Sequence, residues 1–116
     1  MSVAKILGRH EWAERPDVWQ GEFEGGLYGA DVSVMFYTTD EIGGRPKLHK
    51  HPYAEVFIVR QGRALVSVGT DEIEATAGQI VFAPAGVPQK FSNLGPGPLK
   101  TTDLLLAEAF STEWLE

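Results

Sequence analysis

From Asp31 onward the chain is a succession of short runs rich in valine, isoleucine, threonine and aromatic residues, each closed by glycine, proline or asparagine. Branched and aromatic side chains suit a pleated, half-buried surface, and the closing residues supply turns, so the pattern constrains the fold to β-structure. It predicts strands over 31–39, 54–60, 63–68, 72–75, 80–83, 89–92 and 101–108, preceded by shorter ones at 3–7 and 19–24. Gln61-Gly62 reads as the turn of a hairpin between the second and third of the seven, with further turns at Gly69-Thr70-Asp71 and Pro84-Ala85-Gly86. Arg15-Pro16 argues against a helix in the polar segment 9–17. Only 110–116, FSTEWLE, has helical character, and it is too short to be stable alone. With no repeat and no linker, residues 1–116 read as one all-β domain, a barrel or a sandwich.

Two of the three histidines, His49 and His51, stand one residue apart just ahead of Glu55. Residues two apart on a strand share a face, and Glu55 has the same parity, so two imidazoles and a carboxylate can converge. Neutral ring nitrogens plus an anionic oxygen match a divalent transition metal. Such a histidine pair can also be structural, each ring bonded to backbone carbonyls or solvent. Periodicity does not choose a face for Glu55, because Phe57 and Val59 share its parity while Val56 and Ile58 are equally apolar. Lys50 points away from the site by alternation. His10, in a polar segment without an in-phase partner, reads as solvent-exposed.

Gly43, five residues, His49-Lys50-His51, three residues, Glu55, six residues and Gly62 resembles the first motif of the cupins. Gly78, five residues, Pro84-Ala85-Gly86, two residues, Gln89, three residues and Asn93 resembles the second. The resemblance implies a double-stranded β-helix, the jelly-roll cupin barrel, with Glu55 turned inward as a ligand. It implies a metal site of His49, His51, Glu55 and position 89. There the family's usual third histidine is replaced by Gln89, which can be a weak ligand, can hydrogen-bond a metal-bound water, or can be a polar pocket residue. Two histidines and one carboxylate with open positions favour iron or manganese, with zinc or nickel possible.

Composition narrows the partners. With no cysteine there is no thiol nucleophile and no thiolate site, and neither a nucleophile elbow nor a phosphate-binding glycine loop is present. A net charge of −6 with scattered basic residues argues against nucleic acid. No run approaches the length of a membrane span and no signal peptide is evident, so a cytoplasmic protein is expected. Val34, Phe36, Phe57, Phe82 and Phe91 are the candidates for a small, partly apolar or aromatic ligand pocket. The expected function is a metal-dependent enzyme of oxygenase type, with isomerase or lyase chemistry also known in proteins of this resemblance. The alternative is a non-catalytic metal or small-molecule binding module. A sensor would usually carry a fused output domain, for which this length leaves no room. Open sheet edges and the tryptophans Trp12, Trp19 and Trp114 predict a homodimer unless those rings close their own barrel.

Overall fold

The structure, a computed structural model, describes residues 4–43 and 47–116. Ten strands are found among them: β1 (Gly21–Glu24), β2 (Ser33–Thr39), β3 (His49–Lys50), β4 (Glu55–Gln61), β5 (Arg63–Val68), β6 (Asp71–Thr76), β7 (Ile80–Ala83), β8 (Gln89–Asn93), β9 (Leu99–Leu105) and β10 (Glu113–Trp114). They form two five-stranded antiparallel sheets, in the orders β1-β2-β9-β4-β7 and β10-β3-β8-β5-β6. This is the jelly roll expected from the strand rhythm and the two motifs. No helix among the described residues is long and apolar enough to cross a membrane.

The core lies between the sheets. Phe57, Val59, Ala64, Val66, Ala75, Val81 and Leu99 make one buried cluster drawn from β4, β5, β6, β7 and β9. Each fully buried aliphatic or aromatic side chain of this kind contributes roughly 1.5–3 kcal/mol relative to exposure. Burial alternates strictly at the start of β4, where Glu55, Phe57 and Val59 are buried and Val56 and Ile58 are only partly so. That settles the face of Glu55, which periodicity left open.

Four local expectations are corrected. Gln61-Gly62 does not close a hairpin: β4 pairs with β7 and β9 whereas β5 pairs with β6 and β8, so the turn carries the chain from one sheet to the other. Turn chemistry is local and reads the same in both cases. The true hairpin is one turn later, where Val68 faces Asp71 across Gly69-Thr70. At the N-terminal end, residues 4–7 are irregular rather than a strand, and Val3 lies outside the described residues. A single helical turn, α1 (Arg9–Trp12), follows, closed locally by Glu11, whose carboxylate accepts the Gly8 N–H at 3.2 Å.

The last correction concerns 110–116, which is extended. Its β10 adds to the edge of β3, with Trp114 opposite His49 and the Leu115 N–H donating to the Leu48 carbonyl at 2.9 Å. A segment too short to stabilise a helix finds backbone partners on an edge that would otherwise be open. The tryptophans near the N-terminus pack on their own barrel: Trp12 stacks on Phe36 at 4.1 Å between ring centroids, and Trp19 meets the same ring edge-on at 5.0 Å.

Candidate metal centre

His49 sits in β3 and His51 just beyond it, on one sheet; Glu55 opens β4 on the other, after a bend at Pro52-Tyr53. The three side chains therefore meet across the barrel rather than along one strand. All are buried, at 8%, 7% and 7% exposure. Their nearest ligand atoms lie within 4.8 Å of one another. Donors about 2.1 Å from a shared tetrahedral ion stand about 3.4 Å apart, so binding would draw the widest pair of the trio together by roughly an ångström.

The ring orientations suit that use. Nδ1 of His49 lies 2.7 Å from the Lys47 carbonyl, and Nδ1 of His51 lies 2.8 Å from the Ser111 carbonyl. A carbonyl only accepts, so each Nδ1 carries the proton and each Nε2 is left with its lone pair. The Nε2 of His51 stands 3.4 Å from Oε1 of Glu55. Tyr53 stacks on the His51 ring and exchanges hydrogen bonds with Ser111, donating through its hydroxyl and accepting the Ser111 N–H, both at 3.0 Å.

Gln89 lies at the fourth position beside the trio. Paired opposite His49 on β8, it donates its side-chain N–H to Oε1 of Glu55 at 2.8 Å. That bond orients the carboxylate and leaves the amide oxygen with its lone pairs. Lys50 turns outward to Glu113 at 3.3 Å, and His10 is exposed.

Beside the trio is a cavity of about 160 Å³, walled by Met35, Tyr37, Phe91, Asp103, Leu105 and Trp114, with Thr112 at its edge. Of the five expected pocket residues only Phe91 lines it. Phe57 lies deeper, against Phe91 at 4.6 Å, and borders a void of about 10 Å³ that His49, Glu55 and Gln89 also line. Val34 and Phe36 are out of phase with Met35 and Tyr37 and belong to the outer face of β2, where Phe36 carries the tryptophans. Phe82 is 59% exposed on the outer face of β7. In β2 both parities are apolar, so composition could not tell in from out.

Asp103 is the residue the sequence reading missed. It is 2% exposed, and its Oδ1 is sealed from solvent with no well-formed hydrogen bond; the Thr101 hydroxyl, likewise sealed, is the hydrogen-bonding group beside it. Burial first, then the charge of Glu55, push its pKa well above the ordinary carboxyl range, opposed only in part by Thr101. A signal was available, since Asp103 is in phase with the apolar Leu99 and Leu105. Ser111 and Thr112 were invisible and Trp114 was singled out only as a large ring to be covered, because nothing local links them to histidines some sixty positions earlier.

The His51 pKa carries a prediction. Burial lowers it, but the Glu55 carboxylate and the Ser111 carbonyl outweigh burial, and the net position is above the ordinary imidazole value. Without metal, the folded state holds this proton more tightly than the unfolded chain does. The resulting stability is fully present below the unfolded value of about 6.5 and is lost as pH rises through the folded value. A metal must displace the same proton, so affinity is expected to fall with pH below the raised His51 value, by about tenfold per pH unit. Calorimetric titration of chelator-stripped protein with Mn(II) on either side of neutrality checks this; a flat profile would separate His51 from the ligand set.

The family model described as Cupin domain matches residues 36–105. Two curated relatives are uncharacterized proteins. MJ1618 of Methanocaldococcus jannaschii is 32% identical over 51% of this chain and 48% of its own length. SCO3923 of Streptomyces coelicolor is 34% identical over 55% of this chain and 60% of its own. The chain thus spans about half to three-fifths of these relatives. Among solved structures, Bacillus subtilis oxalate decarboxylase superposes with a TM-score of 0.74 at 17% identity, over 82% of this chain and 27% of that protein. An oxalate oxidase bound to the substrate analogue glycolate superposes with a TM-score of 0.67 at 19% identity, over 73% of this chain and 46% of the oxidase. At these identities the likeness is one of fold.

Proposed function

We infer that this chain, which belongs to the cupin family, is a metal-dependent enzyme acting on a small molecule, with manganese or iron at His49, His51 and Glu55. The observation that carries the reading is the buried trio beside a cavity, with both imidazole rings oriented by backbone bonds at Nδ1. Decarboxylase and oxidase neighbours of the same fold, one of them studied for its Mn(II) centres, support the choice of metal. When bound, such an ion would supply Lewis acidity and one-electron redox chemistry at open coordination positions.

The chain's own residues do the rest. His49 and His51 hold the ion through Nε2 while Lys47 and Ser111 fix their rings. Glu55 offers an anionic oxygen, steadied by Gln89. Met35, Phe91 and Leu105 give the cavity beside the trio apolar walls. We expect protein purified without chelators to retain manganese or iron by elemental analysis and to consume oxygen with one or more small aromatic or diketone compounds. Metal retained without oxygen uptake would favour the non-catalytic binding module. No first-row metal retained, and none bound on titration, would end the metal reading.

A further inference from the structure

We propose that the outer face of the sheet β1-β2-β9-β4-β7 is a homodimer interface, in which its open part, formed by β9, β4 and β7, packs on the same face of a second copy. The proposal involves neither the metal nor the cavity, and it stands or falls apart from the function proposed above.

Register and side-chain alternation define the face. Phe57 and Val59 of β4 point into the core, so Val56 and Ile58 point out. Across the strands Phe82 pairs with Val56, Val56 with Leu104 and Leu104 with Val34, an apolar line over four strands. The neighbouring line runs Ile80, Ile58, Thr102 and Phe36. Neither carries a charge.

The other sheet supplies the comparison. Its outer face presents Arg63, Glu72, Glu74, Lys90 and Lys50, and it carries the ion pairs Arg63–Glu74 at 2.9 Å and Lys50–Glu113 at 3.3 Å. An antiparallel sheet with one face in water alternates apolar residues inside with polar ones outside. The second sheet follows that rule and the first does not, so the outer face of the first is made to be covered. The chain covers part of it by itself, laying Trp12 and Trp19 over Phe36. The rest is open, with Ile80 at 64% and Phe82 at 59% exposure on the edge strand β7.

Shape and charge point to a second copy as the cover. Val56, Ile58, Ile80, Phe82 and Leu104 wall none of the principal cavities, so the surface is flat. A flat apolar sheet suits another sheet stacked about 10 Å away rather than a small molecule. A second copy brings a face of the same size, pleat and twist, related by a two-fold axis. Two chains of net charge −6 repel each other, and these two lines of side chains let them meet where neither presents a charge. Arg60 and Lys100 fringe one end only, so a two-fold axis normal to the sheet sets the two groups of cations at opposite ends. Four strands about 4.8 Å apart and seven residues at about 3.4 Å give roughly 450 Å² in flat projection. The accessible area of the side chains standing on it is larger, of the order of the ~600 Å² per copy at which stable interfaces begin.

The test is light scattering in chelator, which removes any metal-bridged association. Wild type is expected to be a dimer at about 50 μM and to dissociate on dilution to about 1 μM or below. Phe82→Glu should be a folded monomer at the higher concentration, since each substitution enters a two-fold interface twice. Ile80→Ser, a milder change at an exposed position, should raise the dissociation constant at least about tenfold. Ile73→Glu replaces an exposed apolar residue on the other sheet and should leave the dimer intact. A monomeric wild type at about 50 μM overturns the proposal, and so does a dimer that survives both Phe82→Glu and Ile80→Ser or is lost equally in Ile73→Glu. A monomer that floats with phosphatidylserine vesicles through Phe82 would also overturn it, assigning the face to a membrane. The dilution series needs no variant, so misfolding of one substitution leaves the result readable.

Discussion

Replacing His51 by alanine is expected to abolish tight divalent-metal binding while the barrel stays folded. The substitution removes one of three strong donors and also unties the Ser111 carbonyl that its ring holds at 2.8 Å. Loss of an outer-shell partner costs about ten- to a hundredfold in affinity, so loss of a direct ligand should exceed a hundredfold. Gln89→Ala sets the internal scale: it removes only the bond to Glu55 and should fall within the ten- to hundredfold range. The buried cluster of Phe57, Val59, Val66, Val81 and Leu99 does not include the trio, so the variant should melt cooperatively in chelator, within a few degrees of wild type. Calorimetric titration with Mn(II), alongside melting curves, decides it. Unchanged affinity in His51→Ala would remove the site.

Gly62→Ala is expected to destabilise the fold strongly. The residue has φ of 89°, and a Cβ there would lie 2.4 Å from the Pro98 carbonyl oxygen, a backbone atom that cannot swing aside. The left-handed conformation alone costs an L-residue about 1–2 kcal/mol, and the clash at the turn between sheets adds to it, for a total of about 3 kcal/mol or more. That corresponds to a melting temperature roughly 10–20 °C lower. Gly78→Ala is the control, with φ of 91° and no atom within 4 Å of the added Cβ. It should lose only the conformational share, about 1–2 kcal/mol. Equal losses in the two variants would mean the Pro98 contact is unimportant.

The strands were legible because their cause is local: β-branched and aromatic runs between turn residues place β2, β4, β5 and β7 within a residue or two of where the sequence predicts them. The pairing was not, since Gln61-Gly62 has the same chemistry in a hairpin and in a sheet-to-sheet crossing. The histidine pair was readable from its spacing. Glu55 was singled out on strand parity, although it reaches the site from the opposing sheet after a bend. The pocket lining failed where both faces of a strand are apolar, as in β2, and succeeded at Phe91, which faces inward beside Phe57. Asp103 was not legible because a lone acid in a strand offers no partner at fixed spacing.

The seating of the His51 ring depends on a residue about sixty positions downstream, and β10 adds to β3 through only two residue pairs. Closing so long a loop for so few contacts comes late when a chain folds, after the larger β2, β9 and β4 pairings have been made. Segments held this lightly are also the first to open under native conditions. We expect assembly to run barrel first and candidate metal site last, and exchange of a bound ion would then follow the fraying of residues 110–116 rather than the unfolding of the domain.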